Sequence, residues 1–405
     1  MMYDLFQTCS DLAVPARAFA SLAVPLWLGN RMDEIAPAAT RRMVADCKLI
    51  ELAQVTHERP PWRIDAVKVG GRLVPVSEEV TLATPFAQLR RFRKAGADEQ
   101  PKVLVVAPMS GHFATLLRDT VRTLLEDHDV HVTDWRNVRD VPLSAGRFGL
   151  DEYTQHLIDF LAAIGPRAHL LAVCQPCVSA LAAVAVMSED RHPATPASLT
   201  LMAGPIDCRI APTVVNRLAT ERPLSWFARN LISTVPWRHA GRGRRVYPGF
   251  VQLSAFMSMN RERHVDALRS YHRHLLDDEF EKAEATRTFY EEYLAVADLS
   301  ADFYLETVDL VFQRHALPRG ELMFDGRRVD PAAIRRTALL TVEGERDDIC
   351  SIGQTLAAHD LARSLRPHLR THYVQPNVGH YGVFSGRRWQ NQVYPVVRSV
   401  IRLSA

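Results

Sequence analysis

Residues 169–187, HLLAVCQPCVSALAAVAVM, decide the fold. His169 to Val173 is a run of strand length, suited to burial on both faces of a sheet. After only three intervening residues Cys177 leads into an apolar helix over Ala180 to Met187, so the stretch reads as strand, sharp turn and buried helix. Such units build a parallel sheet with crossover helices. Working outward, Val103 to Ala107 is a second fully apolar strand, between Pro101 and Pro108. Leu117, Val121, Leu124 and Leu125 then form the stripe of a helix lying on that sheet. Val130 to Trp135, Leu199 to Ala203, Ala338 to Val342 and Thr371 to Val374 add strands. Tyr153, Leu157, Leu161 and Ile164, closed by Gly165-Pro166, predict the helix before strand 169–173. A last helix is expected near 388–403.

The strands at 199–203 and 338–342 read as sheet neighbours, yet about 135 residues separate them. The insert, 208–333, is rich in aromatics and Met (Trp226, Trp237, Phe256, Met257, Tyr290, Tyr293), with helical stretches such as 275–295. Long insertions in compact domains are usually functional lids, so a largely helical cap is expected there. Toward the N-terminus, Ala16, Phe19, Ala20 and Ala23 follow Pro15 at helical spacing, then Met43, Cys47 and Ile50, before the breaker Pro60-Pro61. The expected organisation is α/β. It has an N-terminal helical extension over 1–78, a core of 79–207 and 334–405 around a mostly parallel central sheet, and the cap at 208–333.

With 47% hydrophobic residues among 405, the chain can bury a large core. Lys+Arg 49 against Asp+Glu 46 leaves a net charge of +3, which argues against nucleic acid as a partner. The basic stretch Arg238 to Arg245 then reads as a solvated loop. There is no apolar run long enough to span a membrane. Asp4 and Asp11 stand where a secretory leader would need a basic segment and then an apolar one, so a cytoplasmic location is expected. Six cysteines are too sparse for a disulfide scaffold and read as reduced thiols.

The turn after strand 169–173 is where α/β-hydrolases expose a nucleophile next to a helix N-terminus. Cys177 is expected to be that nucleophile, in the serine place of G-x-S-x-G with Gln175 and Ser179 in the glycine places. The helix dipole would favour its thiolate, and the Val178 N–H would follow it as an oxyanion donor. Other readings of Cys174 and Cys177 remain open: small thiols packing the sheet, or a redox C-x-x-C pair. Zinc would need two further ligands at ligand spacing, and only the scattered histidines of 270–275 offer any. A nucleophile of this class needs an acid and then a histidine later in the chain. Asp347 follows strand 338–342, with adjacent Asp348 as the competing choice, and His380 sits in the glycine-flanked loop Asn377 to Gly382. In the loop Ala107 to His112, Met109 or Ser110 would give a second oxyanion N–H, while His112 reads as a helix-start residue.

Four blocks resemble the intracellular polyhydroxybutyrate depolymerases of the α/β-hydrolase superfamily: APMSGHFATLLR at 107–118, VTDWR at 132–136 with VPLSAGR at 141–147, CQPCV at 174–178 and VGHYGVFSG at 378–386. The resemblance implies Cys177 as nucleophile, His380 as base and Asp347 as its partner. It implies amorphous poly(3-hydroxybutyrate) as substrate, cleaved to oligomers or monomer through a thioester, with water or coenzyme A as acyl acceptor. It implies no metal or redox cofactor, a cytoplasmic enzyme on storage granules, the polymer surface as partner, no nucleic acid and no membrane span; a homo-oligomer is compatible with it. Two alternatives stand beside this. One is a polyhydroxyalkanoate synthase or related thioester acyltransferase, although the synthase box G-x-C-x-G is absent. The other is a non-catalytic granule-coat protein.

Overall fold

The parallel strands read from the sequence join one sheet of nine strands in the computed structural model, which describes residues 2–29, 37–96, 100–259 and 261–404. In chain order the strands are β1 Ala66–Val69, β2 Arg72–Ala83, β3 Ala87–Lys94, β4 Lys102–Val106, β5 Asp129–Trp135, β6 His169–Val173 and β7 Ser198–Met202. Short strands β8 Ser233–Thr234, β9 Arg245–Tyr247 and β10 Leu299–Ser300 form a small separate sheet, and β11 Met323–Phe324 pairs with β12 Arg327–Arg328. β13 Ala338–Gly344 and β14 Arg370–Gln375 return to the large sheet, whose order is β1-β2-β3-β5-β4-β6-β7-β13-β14. β1, β2 and β3 pair antiparallel, as β3 does with β5; every pairing from β5 to β14 is parallel. β7 is thus the neighbour of β13 despite the long insertion, with Ala338 opposite Ser198.

The central strands carry almost nothing but buried apolar side chains, because helices cover both faces. The helix Leu150–Ile164 buries Tyr153, Leu157, Phe160, Leu161 and Ile164 along one stripe. The helix Cys177–Glu189 is buried from Cys177 to Met187 on all sides. Each large side chain removed from water in this way contributes about 1.5–3 kcal/mol relative to its exposed state.

Several expectations change. The N-terminal helix starts at Met2 and runs through Pro15 to Gly29, the missing N–H of proline removing one hydrogen bond without ending the helix. A second helix covers Pro37–Leu52, but the strands begin at Ala66, so the boundary at 78 falls inside β2. The stretch 275–295 is not one helix: Arg261–Leu276 and Phe280–Tyr293 are separated by Asp278, whose φ of +56° breaks the run. Nor is 238–245 simply solvated. Arg244 is buried and donates from Nε to Val141 O (2.9 Å) and from Nη1 to Gly146 O (2.9 Å), stapling the loop after β5.

The N-terminal helix is tied to the body by a buried carboxylate. Asp298 accepts from Tyr3 Oη (2.6 Å) and from Gly249 N (2.9 Å), and its own N–H donates to Asn137 Oδ1 (3.0 Å). Beside it lies His57, its Nε2 3.7 Å from Asp298 Oδ1.

His57 is one of several histidines whose burial disfavours the charged ring. Burial pushes His57 down to about 3, and His112, His128 and His169 each to about 4. The unfolded chain binds protons at all four near the ordinary value of about 6.5, whereas the native state refuses them. The contribution of these rings to stability is therefore fully present above about pH 6.5 and is lost as pH falls toward about 3. Thermal unfolding followed by circular dichroism should show the midpoint dropping steadily through that window. A midpoint independent of pH there would contradict the neutral burial of these rings.

Candidate active site

β6 ends at Val173, and the next residue, Cys174, has φ +67°. A residue with a Cβ in this left-handed region costs roughly 1–2 kcal/mol, so the surrounding structure must impose it. Cys174 N donates to Met202 O at the end of β7 (2.8 Å), and Cys177 N donates back to Cys174 O (3.1 Å). Pro176, φ −66°, caps the helix Cys177–Glu189. The chain thus reverses within three residues, and Cys174 stands half-buried at the tip between buried Val173 and buried Pro176.

Beyond β13, Asp347 is buried and Asp348 exposed, which separates the two candidates for the acid. Asp347 Oδ1 accepts from Ile349 N (2.9 Å) and Cys350 N (2.8 Å), leaving Oδ2 to face His380 Nδ1 at 2.8 Å. His380 opens the short turn His380–Val383 after β14, and its ring stands edge-on to Phe384, with centroids 5.7 Å apart. Cys174 is the ring's other partner. Burial alone would lower the histidine, but Cys174 and Asp347, acting electrostatically and by hydrogen bonding, carry it well above its ordinary value. Both neighbours thus favour the protonated imidazole.

The expectation that Cys177 is the thiol facing His380 is corrected. Cys177 begins the helix, and its Sγ lies 3.4 Å from Ala172 O and 3.7 Å from Met202 O. It packs so tightly on Gly204 that a Cβ there would fall 2.2 Å from the Cys177 Cβ and 2.3 Å from its Sγ. Burial, and after it the charge of Cys174, pushes this thiol well above its usual range, so it is no ready thiolate. The elbow residue is the first one after the strand, not the first of the helix. Ala172 and Pro176 accordingly occupy the places of the two glycines around Cys174. Both cysteines are free thiols.

The oxyanion assignment moves with it. Val178 is the second residue of the helix, whereas the N–H that follows Cys174 belongs to Gln175. Met109 lies in the loop after β4. Among the described residues neither the Gln175 N–H nor the Met109 N–H has a hydrogen-bond partner within the chain. That loop is fixed from both ends: Ala107 N donates to Thr133 Oγ1 (2.9 Å), Trp135 Nε1 donates to Ala107 O (2.9 Å), and Ala297 N donates to Gly111 O (2.9 Å). Gly111, φ +85°, lies so close to Gln252 that a Cβ would meet its Oε1 at 2.9 Å. His112 is buried, with Nε2 3.1 Å from Tyr293 O, and clamps the loop to the helix Phe280–Tyr293. Ser110 is half-buried on the same loop. Among the described residues no group of three or more His, Cys, Asp or Glu could hold a metal ion. No helix there is long and apolar enough to cross a membrane.

A thiol on a left-handed elbow after β6, a carboxylate after β13 and a histidine after β14, on a sheet antiparallel at one side and parallel through the rest, define an α/β-hydrolase. Residues 203–405, half of the chain, match the family model described as PHB de-polymerase C-terminus. The chain belongs to this polyhydroxybutyrate depolymerase family and is a carboxylic ester hydrolase. Similar solved structures include an esterase from Thermogutta terrifontis (16% identity, 81% of this chain and 98% of that one, TM-score 0.42). Others are the α/β hydrolase GrgF of a Penicillium species (14%, 82% and 98%, TM-score 0.44) and the thioesterase domain of the curacin pathway (12%, 80% and 99%, TM-score 0.42). No curated protein is significantly similar in sequence.

If Cys174 supplies one of the two charges that raise His380, then Cys174→Ala should lower the histidine's ionisation, while Cys177→Ala should leave it where it is. An NMR titration of the His380 ring in the parent and both variants reads this directly. Identical curves in the parent and Cys174→Ala would remove Cys174 as the partner.

Proposed function

We propose that the protein cleaves ester bonds of poly(3-hydroxybutyrate) through an acyl-enzyme on Cys174, with His380 as acid and base and Asp347 orienting it. The observation that carries this is His380 held between Asp347 at 2.8 Å and the elbow thiol. The polyester as substrate is taken from the family to which the chain belongs.

The Cys174 thiolate attacks the ester carbonyl carbon, and the negative oxygen that forms is stabilised by the free N–H groups of Gln175 and Met109. As the C–O bond breaks, the His380 imidazolium gives its proton to the departing hydroxyl of the neighbouring 3-hydroxybutyrate unit, leaving a thioester. Neutral His380 then takes a proton from water, which attacks the thioester and releases the acid and the thiolate. Asp347 keeps the ring in one tautomer and stabilises its charged form. None of these steps requires a metal or redox group. Coenzyme A in place of water would release a coenzyme A thioester by the same second step. The storage granule is the natural place for this reaction, since the polymer is stored there.

The test is to incubate the full chain with amorphous polymer particles and identify the soluble products. Cys174→Ala should yield none, whereas Cys177→Ala, a small packing loss in the core, should retain most of the activity. Cys174→Ser should fold and be slow, because a hydroxyl ionises far less readily than a thiol. Asp347→Asn should lower turnover by several powers of ten, on the order seen when a triad acid is removed, and Asp348→Asn should be mild. Loss of activity in Cys177→Ala with retention in Cys174→Ala would overturn the assignment.

A further inference from the structure

Beside Asp347 two segments expose aliphatic side chains. The helix Val214–Glu221 presents Val214 (62% exposed) and Leu218 (52%) one turn apart, with Ile210 exposed just before it. The loop that follows Asp347 presents Ile352 and Leu356. The segments are stitched into one unit. Ser351 Oγ donates to Ala211 O (2.5 Å), Gln354 Nε2 to Ile210 O (3.0 Å) and to Asn216 Oδ1 (2.8 Å), and Thr213 Oγ1 to Ile349 O (3.2 Å). Ile210 also closes on Gly353, where a Cβ would fall 2.7 Å from its Cγ2. Ile349, which receives the Thr213 bond, donates its own N–H to Asp347. The two segments are therefore linked, through Ile349, to the loop that carries the buried carboxylate facing His380.

A single exposed aliphatic residue needs no explanation, but five on one hydrogen-bonded unit at the edge of a site do. We propose that Ile210, Val214, Leu218, Ile352 and Leu356 form the surface on which the uncharged polyester lies as it enters the site, an inference that rests on the function proposed above. The substrate chemistry fits: a chain of methyl-bearing ester units has no ionisable group to pair and is driven onto apolar surface by water. The nearby cation Arg209 is closed on Asp207 through two bonds of 2.8 and 2.7 Å, and Arg217 donates to Pro212 O (2.7 Å), so neither stands ready to select an anionic partner. The helix is secured on its other face, with Asn216 and Ala219 buried and a reciprocal Thr213–Asn216 cap. Changes at Val214 and Leu218 should thus leave the fold intact.

The experiment places Val214→Asp and Leu218→Asp separately in the full chain. It measures co-sedimentation with amorphous poly(3-hydroxybutyrate) particles, hydrolysis of those particles, and hydrolysis of a soluble 3-hydroxybutyrate dimer ester. Each charge brought against an apolar solid should weaken adsorption and particle hydrolysis by about tenfold, with turnover of the soluble ester kept. Leu12→Asp, on the exposed face of the N-terminal helix, should leave adsorption unchanged. Val214→Ser and Leu218→Ser, milder changes, should give smaller losses of the same kind and serve if an Asp variant does not fold. Unchanged adsorption in the Val214 and Leu218 variants would overturn the proposal, as would loss in Leu12→Asp alone. So would a parent dimer that these changes split without affecting adsorption, which would give the surface to a second copy. A parent that hydrolyses the soluble ester but neither adsorbs to nor degrades the polymer would instead refute the substrate reading, whatever the variants do.

Discussion

The backbone of Cys174 is the constraint on which the site depends. A left-handed residue directly after a buried strand is unfavourable in isolation, and it persists because both sides are already committed. β7 takes its N–H through Met202 O, and the helix behind it returns a bond from Cys177. That helix can come so close only because residue 204 is glycine, whose missing side chain leaves room for Cys177. The Cys177 side chain thus has a packing part: it fills the space behind the elbow against Gly204. Two cysteines three positions apart acquire opposite characters, one at the tip of a turn and the other sealed in the core.

The second commitment is electrostatic. An imidazolium in the interior would be expensive alone, and Asp347 and Cys174 beside it reverse the preference. The arrangement is interdependent, since removing either neighbour takes away part of what favours the buried charged ring. Asp347 cannot easily turn away, because Ile349 and Cys350 hold its other oxygen. The loop that follows Asp347 also carries Ile352 and Leu356, so the carboxylate that meets His380 and the side chains that meet solvent outside share one backbone.

Much of this was legible in the sequence. β6 was read with its observed ends, and the parallel strands around it came within a residue or two, because fully buried strands are unbroken apolar runs. β2 and β3 were not legible as strands. Arg90 and Arg91 of β3 pair with Glu78 and Glu79 of β2, and these charges interrupt the apolar pattern of a strand whose Ala87, Leu89 and Phe92 are nevertheless buried. Arg244 was misjudged for a related reason: a guanidinium satisfied by three carbonyls looks, in a string of letters, like any solvated arginine. Asp347 and His380 are legible as candidates from their places after strands, and the structure brings their side chains to 2.8 Å. The thiol was displaced by three residues because the glycine spacing of a serine motif was imposed on a stretch where Ala172 and Pro176 do the glycines' work. The strand end at Val173 was the better guide.

The order in which the chain is made gives the His380 loop a further meaning. Cys174 and its elbow belong to strands synthesised before the midpoint of the chain, whereas Asp347 and His380 follow β13 and β14, close to its end. The loop bearing His380 is pinned by a hydrogen bond from Thr120 to Phe384 O, a contact spanning most of the sequence. A nascent chain that has already buried its central strands still lacks both partners of the thiol. On the assignment proposed above, the thiol therefore gains its partners only as the final strands dock.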